Sequence, residues 1–356
     1  MIDRCGRTID YLRISVTDRC NLRCIYCMPE DGVKLVDRSL ILREEEIIRI
    51  CRVMAELGIT KIKLTGGEPL IHVRMPELTA QIKRLPGIRK VTLTTNGVLL
   101  KEQMKDLAEA GLDAVNISLD TVDPVLYEKI TGRDKLSEVM KVIEKAEDLP
   151  VPVKINAVSI DFRQLQTGGK TAGLSPQENW QQVAELAKRY PVDVRFIEMM
   201  PIGYGRQFKT IDHNWLLENM KKTYPDLAED STVHGFGPAV YYKASGFKGS
   251  IGLISAIHGK FCSSCNRVRL TSQGHVKSCL CYDDGTDLRS ILREGQERPE
   301  EDTHYIWQAD RDVRDEKLQE KLREALARAI YEKPAAHCFE KPGEITEAHN
   351  MISIGG

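Results

Sequence analysis

The chain has almost no net charge, no long apolar run and no internal repeat. Its 356 residues carry 51 Lys and Arg against 52 Asp and Glu, a formal net charge of −1. That balance argues against nucleic acid as the main partner, because no broad cationic field would attract it. Without an apolar run of about 20 residues there is no membrane-spanning helix. The opening residues, Met1 to Arg7, lack the apolar core of a secretion signal, so a cytoplasmic location is expected. Ten cysteines in such a chain point to metal ligation rather than disulfides. A phosphate-binding P-loop is missing too. Gly168-Gly169-Lys170-Thr171 has Gln164 where that motif needs glycine, and 161–176 reads as a surface loop.

What is there begins with Cys20, Cys24 and Cys27, spaced C-x3-C-x2-C. A [4Fe-4S] cluster takes four thiolates, and the ferredoxin run C-x2-C-x2-C serves to close one. Three thiolates on one loop leave one iron open to bind and reduce something. Zinc is the rival reading. It accepts three or four cysteines but usually draws them from two knuckles, and no histidine lies in this loop, though Asp18 is near. The spacing, with Tyr26 just before the last cysteine, resembles the radical S-adenosylmethionine (SAM) enzymes. In that family the open iron binds the amino and carboxylate groups of SAM. One electron then splits SAM into methionine and a 5′-deoxyadenosyl radical.

The first two-thirds of the chain alternate strand and helix. Strands are predicted over 12–16, 61–64, 91–94, 114–117, 153–158 and 192–197. Helical periodicity runs over 44–57, stopping at Gly58, and over 101–110, stopping at Gly111. Six strands with helical crossovers make a parallel sheet, short of the eight in a closed barrel. The chemically suggestive runs each follow a strand, as in α/β barrels. From about Gly203 the alternation ends. A helix over 212–224, strands over 241–243 and 251–257, and a charged amphipathic helix over 318–331 follow. The charged face of that last helix is expected to be solvated.

A second cysteine group, Cys262, Cys265 and Cys279, with Cys281 beyond, lies in this later part. The residues between read as a hairpin turning at Gln273-Gly274, which returns Cys279 to the Cys262–Cys265 knuckle. Zinc and iron–sulfur are both open here on spacing alone. Arg267 and Arg269 sit at alternate positions of a strand, hence on one face. Guanidinium beside a metal points to an anionic ligand, since it grips phosphate with two bonds. Cys5, Cys51 and Cys338 stand alone, and Cys51 reads as buried packing on a helix.

From Arg4 to the last residue, apart from the loop after Ile160, the chain is similar to the GTP 3′,8-cyclase family, radical SAM enzymes of molybdenum-cofactor biosynthesis. The residues that carry this are Leu12 to Cys20, Cys24 to Cys27, Thr65-Gly66-Gly67-Glu68-Pro69, Leu93 to Gly97, Arg195 to Glu198, Phe261 to Arg269 and the terminal Gly355-Gly356. The resemblance implies a partial six-stranded (β/α)6 TIM-like barrel over 1–202. It implies a C-terminal extension over 203–356 that carries a second iron–sulfur cluster and a Gly-Gly tail. The cofactors are then two [4Fe-4S] clusters and SAM. Cys20, Cys24 and Cys27 would hold the first cluster. Cys262, Cys265 and Cys279 would hold the second; Cys281, two residues on and on the same side of a strand, is left open as a substitute for Cys279. Tyr26, Gly67, Ser118 and Met200 match SAM-contacting positions. Arg13, Lys63, Thr94, Lys154, Arg267, Val268 and Arg269 are expected to bind GTP. Arginine is expected at position 63 in many relatives, and lysine there keeps the charge but loses the fork. Arg267, Arg269, Gly355 and Gly356 are the expected catalytic set, with Arg267 meeting the terminal carboxylate. The implied reaction is removal of the ribose C3′ hydrogen of GTP and attack of the C3′ radical on guanine C8. A reductant such as flavodoxin or ferredoxin and a homodimer complete the expected partners. Another radical SAM enzyme with an auxiliary cluster, and a non-enzymatic zinc-binding module, are the alternatives.

Overall fold

The computed structural model describes residues 1–33, 36–161, 176–294 and 316–355. Its centre is a sheet whose strands obey the alternation in the sequence. β1 (Tyr11–Ser15), β2 (Lys61–Thr65), β3 (Lys90–Thr95), β4 (Ala114–Ser118), β5 (Val153–Ser159) and β6 (Asp193–Glu198) are joined by helical crossovers. The later chain adds β7 (Ala228–Glu229), β8 (Val240–Lys243), β9 (Ile251–Ile254), β10 (Arg267–Leu270), β11 (His275–Lys277) and β12 (Thr286–Asp287).

Sheet order is β12-β11-β10-β1-β2-β3-β4-β5-β6-β9-β8-β7. Neighbours from β10 through β9 are all parallel. The parallel stretch therefore exceeds the six strands expected from the alternation. β9 and β10 each have four residues, too short to show a period of their own, and they join at the two flanks of the six. The hairpin of β10 and β11 is present, with Gly274 at φ +87 in its turn. One predicted strand is shorter than expected. β9 stops at Ile254 because the Glu198 carboxylate takes the backbone N–H of Ile257 and His258, at 2.6 and 3.1 Å.

The parallel strands have one apolar and one polar face. Leu12, Ile14, Ile62, Leu64, Val91, Leu93, Val115, Ile117 and Ile155 are each 0% exposed. They belong to one core with Ile47, Ile50, Cys51 and Met54 of the helix Glu44–Glu56, which ends ahead of Gly58 at φ +96. Burying each such side chain contributes about 1.5–3 kcal/mol. The alternate residues point the other way, and register aligns them. Arg13 lies opposite Lys63 and Arg269, Thr94 opposite Asn116, Ser118 opposite Asn156, and Asn156 opposite Arg195. A barrel interior is normally filled by branched apolar side chains. This polar face is instead suited to a ligand. No described helix is long and apolar enough to cross a membrane.

Candidate functional site

The loop after β1 carries the first three cysteines, and it is pinned from several sides. Gly67 N–H donates to Thr17 carbonyl and Glu68 N–H to Arg19 carbonyl, both at 2.7 Å. A Cβ on Gly67 would lie 2.2 Å from the Arg19 oxygen, so only glycine lets the two loops approach this closely. Glu68 is 1% exposed and in turn accepts from Thr95 Oγ1 at 2.7 Å and from Asn96 N–H at 2.7 Å. Asn96 Nδ2 donates to Asn21 Oδ1 at 2.7 Å. The loops after β1, β2 and β3 thus form one hydrogen-bonded unit.

Tyr26 is fixed by its hydroxyl, which donates to Asp120 Oδ2 at 2.6 Å, while Asp120 Oδ1 accepts from Val158 N–H at 2.7 Å. Burial pushes the Asp120 carboxyl up from 3.8 to about 6. A carboxyl raised on folding favours the protonated native state. Stability should therefore fall as pH rises from about 4 to about 6, by on the order of 3 kcal/mol. Asp120→Asn should remove that share of the slope, leaving a fall of similar size up to about pH 7 from Glu68, which burial raises to about 7. Thermal unfolding of iron-free chain across pH 4–7 reads this directly. An unaltered pH profile in the variant would refute it.

Both cysteine groups open on one cavity of about 310 Å³. Cys20, Cys24 and Cys27 line it, as do Cys262, Cys265 and Cys279. Burial raises the thiols of Cys24 and Cys27, Cys27 to about 12, and the neighbouring cysteines and Asp120 add to it. Clustered thiols, two of them raised by their cysteine neighbours, suit a metal centre, which supplies the missing positive charge. Among the described residues, the three-residue group with ligand atoms all within 4.8 Å is Asp283, Glu347 and His349. Each cysteine trio is therefore spread wider than that.

Cys279 and Cys281 part company. Cys279 lines the cavity, whereas Cys281 is 0% exposed and lies with its sulfur 3.2 Å from that of Cys338. Cys338, read from sequence as solitary, is thus Cys281's neighbour inside an apolar cluster with Ile202, Phe339 and Ile354. Cys279→Ala is expected to cost about half the bound iron, as for one of two equal clusters, and Cys281→Ala to cost none. The reverse result would reassign the ligand.

Tyr26, Gly67, Ser118, Met200, Arg13, Thr94, Arg267 and Arg269 also line this cavity. Arg13 and Arg269 are direct neighbours across β1 and β10. Burial, then Arg267 and Arg195, lowers Arg13 to about 10, and burial with Arg13 and Arg267 pushes Arg269 down strongly. Crowded like charges in a buried wall favour an anionic ligand. Thr94 Oγ1 accepts from Asn116 Nδ2 at 3.3 Å, leaving its own proton to donate. Arg267 is held over the rings of Tyr11 and Phe261, 5.5 and 6.0 Å from their centroids.

Three expected residues sit differently. Val268 points away from its flanking arginines and is 0% exposed in the core, as strand alternation requires. Lys154 gives its ammonium to Asp193, at 2.5 Å, and to the His234 carbonyl. Lys63 is 8% exposed on the same polar face, beneath the lining residues. Burial, then Arg195, Arg13, Arg267 and Lys154, holds its ammonium well below the ordinary range. Arg195 itself escaped the sequence reading as a site residue. It lies within the Arg195 to Glu198 run, and its place on the polar face of β6 was the available signal. Its buried Nε has no hydrogen-bond partner.

The tail enters the same region. Arg269 Nη1 donates to the Gly355 carbonyl at 2.6 Å. Gly355 adopts φ +73 against Ser15 and Thr65, where a Cβ would be 3.1 Å from Ser15. Arg269, rather than Arg267, is the arginine that meets the described tail. Gly356 lies outside the described residues, as does 162–175 of the predicted surface loop.

Comparison with known proteins agrees with this geometry. Residues 14–166 match the model of the radical SAM superfamily, and 192–339 match that named Molybdenum Cofactor Synthesis C. A GTP 3′,8-cyclase of Clostridium perfringens is 39% identical over 357 residues, covering 100% of both chains. One of Heliobacterium modesticaldum is 43% identical over 305 residues, covering 83% of this chain and 88% of its own. In fold, the chain is similar to Streptococcus suis SuiB bound to S-adenosylmethionine, with TM-score 0.55 and 14% identity, covering 97% of this chain and 77% of SuiB. With full-length relatives at this identity, and with both cysteine trios on one cationic cavity, the chain belongs to the GTP 3′,8-cyclase family of radical SAM enzymes.

Proposed function

We propose that the chain cyclises GTP to (8S)-3′,8-cyclo-7,8-dihydroguanosine 5′-triphosphate, at the start of molybdenum-cofactor biosynthesis. The observation that carries this is the shared cavity. Two cysteine trios face one volume, and arginines of β1 and β10 form its wall. Cys20, Cys24 and Cys27 would hold a [4Fe-4S] cluster, and Cys262, Cys265 and Cys279 would hold a second one, which would supply an iron to bind the guanine base. When bound, the first cluster with SAM supplies a 5′-deoxyadenosyl radical able to take the C3′ hydrogen of GTP.

The chain's own residues bind and orient. Tyr26, Gly67, Ser118 and Met200 contact SAM. The glycine gives backbone access, and the Asp120 bond keeps Tyr26 in one orientation. Arg13, Arg267 and Arg269 hold the triphosphate, with Lys63 and Arg195 adding charge beneath. Thr94 donates its hydroxyl. The GTP role of Lys154 requires exchange of its Asp193 pairing. The run of parallel strands joined by helical crossovers supports reading the sheet as a partial barrel, and the chain divides functionally after residue 202, where the alternating units end. A flavodoxin- or ferredoxin-like protein donates the electron.

The test is anaerobic incubation of the iron-loaded chain with SAM, GTP and dithionite. Deoxyadenosine together with a cyclised nucleotide is expected. Deoxyadenosine with no nucleotide product would favour a different radical SAM substrate, and bound zinc without sulfide would end the reading.

A further inference from the structure

We propose that Lys333 is the charge partner of the second cysteine trio, and that Arg7 is the positioning residue that holds it there. The inference rests on reading that trio as a cluster site. Lys333 follows the helix Glu316–Tyr331 and is only 3% exposed. Its ammonium donates to the carbonyl of Ser278, the residue before Cys279. Lys333 lines the cavity beside Cys262, Cys265 and Cys279. No carboxylate pairs with it among the described residues. A buried ammonium without an anion is costly. Thiolates are the anions at hand.

Arg7 contributes geometry rather than charge. Its own charge is matched by Asp3, whose side chain is 0% exposed and 2.7 Å away. The rest of the guanidinium fork is spent on carbonyls. Nη1 donates to Cys262 at 2.9 Å and to Ala335 at 3.0 Å, and Nη2 to Pro334 at 2.7 Å and to Lys333 at 3.3 Å. One rigid planar group therefore ties the knuckle to the segment that carries Lys333. Lysine has no such fork. With its position fixed, the ammonium stabilises the more negative, reduced form of a bound cluster.

The test uses full-length chain carrying Cys20→Ala, Cys24→Ala and Cys27→Ala, so that only the second trio can hold iron. About four irons are expected after anaerobic reconstitution. Redox titration followed by electron paramagnetic resonance then gives the cluster's potential. Lys333→Met should lower the ratio of reduced to oxidised cluster at least tenfold at fixed solution potential, about 59 mV for one electron. Lys333→Arg should restore it. If Lys333→Met loses iron altogether, recovery of iron in Lys333→Arg still supports the charge role, and loss in both overturns it. Full iron with an unchanged potential in Lys333→Met overturns the role of Lys333 while leaving the cluster reading intact. No iron in the parent variant would sink the cluster reading itself. Arg7→Lys should lose iron or shift the potential, and wild-type values for both would remove Arg7 from the proposal.

Discussion

Alanine at Cys20, Cys24 and Cys27 together is expected to reduce deoxyadenosine formation from SAM to background, with or without GTP. The three sulfurs line the cavity from a loop pinned to Gly67, Glu68, Asn96 and Asp120. Burial raises all three thiols, and neighbouring cysteines add to it at Cys24 and Cys27. On the proposed reading, removing them takes away both the anchor for SAM and its electron source. The loss should be complete rather than graded. Iron content should fall by about half, because the second trio is untouched. The expected pair of results is therefore specific, with residual iron present and SAM intact. Deoxyadenosine at a normal rate from the triple variant would show that these cysteines do not hold the reacting centre.

A chain ending at Ile354 should show the opposite split, with iron content and SAM cleavage retained and cyclisation of GTP lost. Gly355 occupies a left-handed conformation against Ser15 and Thr65 and accepts from Arg269 at 2.6 Å. A hydrogen bond to a charged donor is worth about 1.5–3 kcal/mol, about 10- to 100-fold in rate if it is felt in the reaction. Ordering glycine costs more conformational entropy than ordering any other residue, so the docked tail must return clear interactions. Arg269→Ala should reproduce the loss of product, since it removes the cation from both the tail and the anion-binding wall. Full cyclase activity in the truncated chain would leave the tail as a mere terminus.

Much of the site was legible before folding was considered, and the reasons are local. Ligand spacing in the two cysteine groups depends only on chain geometry over a few residues. Arg267 and Arg269 share a face because strands alternate, and the same rule should have excluded Val268. Lys154 could not be judged from its own strand. Its pairing with Asp193 lies across β5 and β6, and the His234 carbonyl comes from 80 residues away. Cys281 and Cys338 meet across 57 residues. Arg195 lies in a run that carries the family resemblance, but its role at the site shows only on the polar face it shares with Arg13 and Lys63.

The sequence by itself determined that strands and helices would alternate, that thiolates would gather in two groups, and which family the chain resembles. Hydrophobic period and motif spacing are short-range properties, so one chain segment suffices to read them. The tertiary structure alone decided that both thiol groups open on a single cavity, that β9 and β10 flank the six alternating strands, and that Arg269 is the arginine that meets the Gly355 carbonyl. Those outcomes depend on sheet order and register, which bring together residues that no local pattern relates.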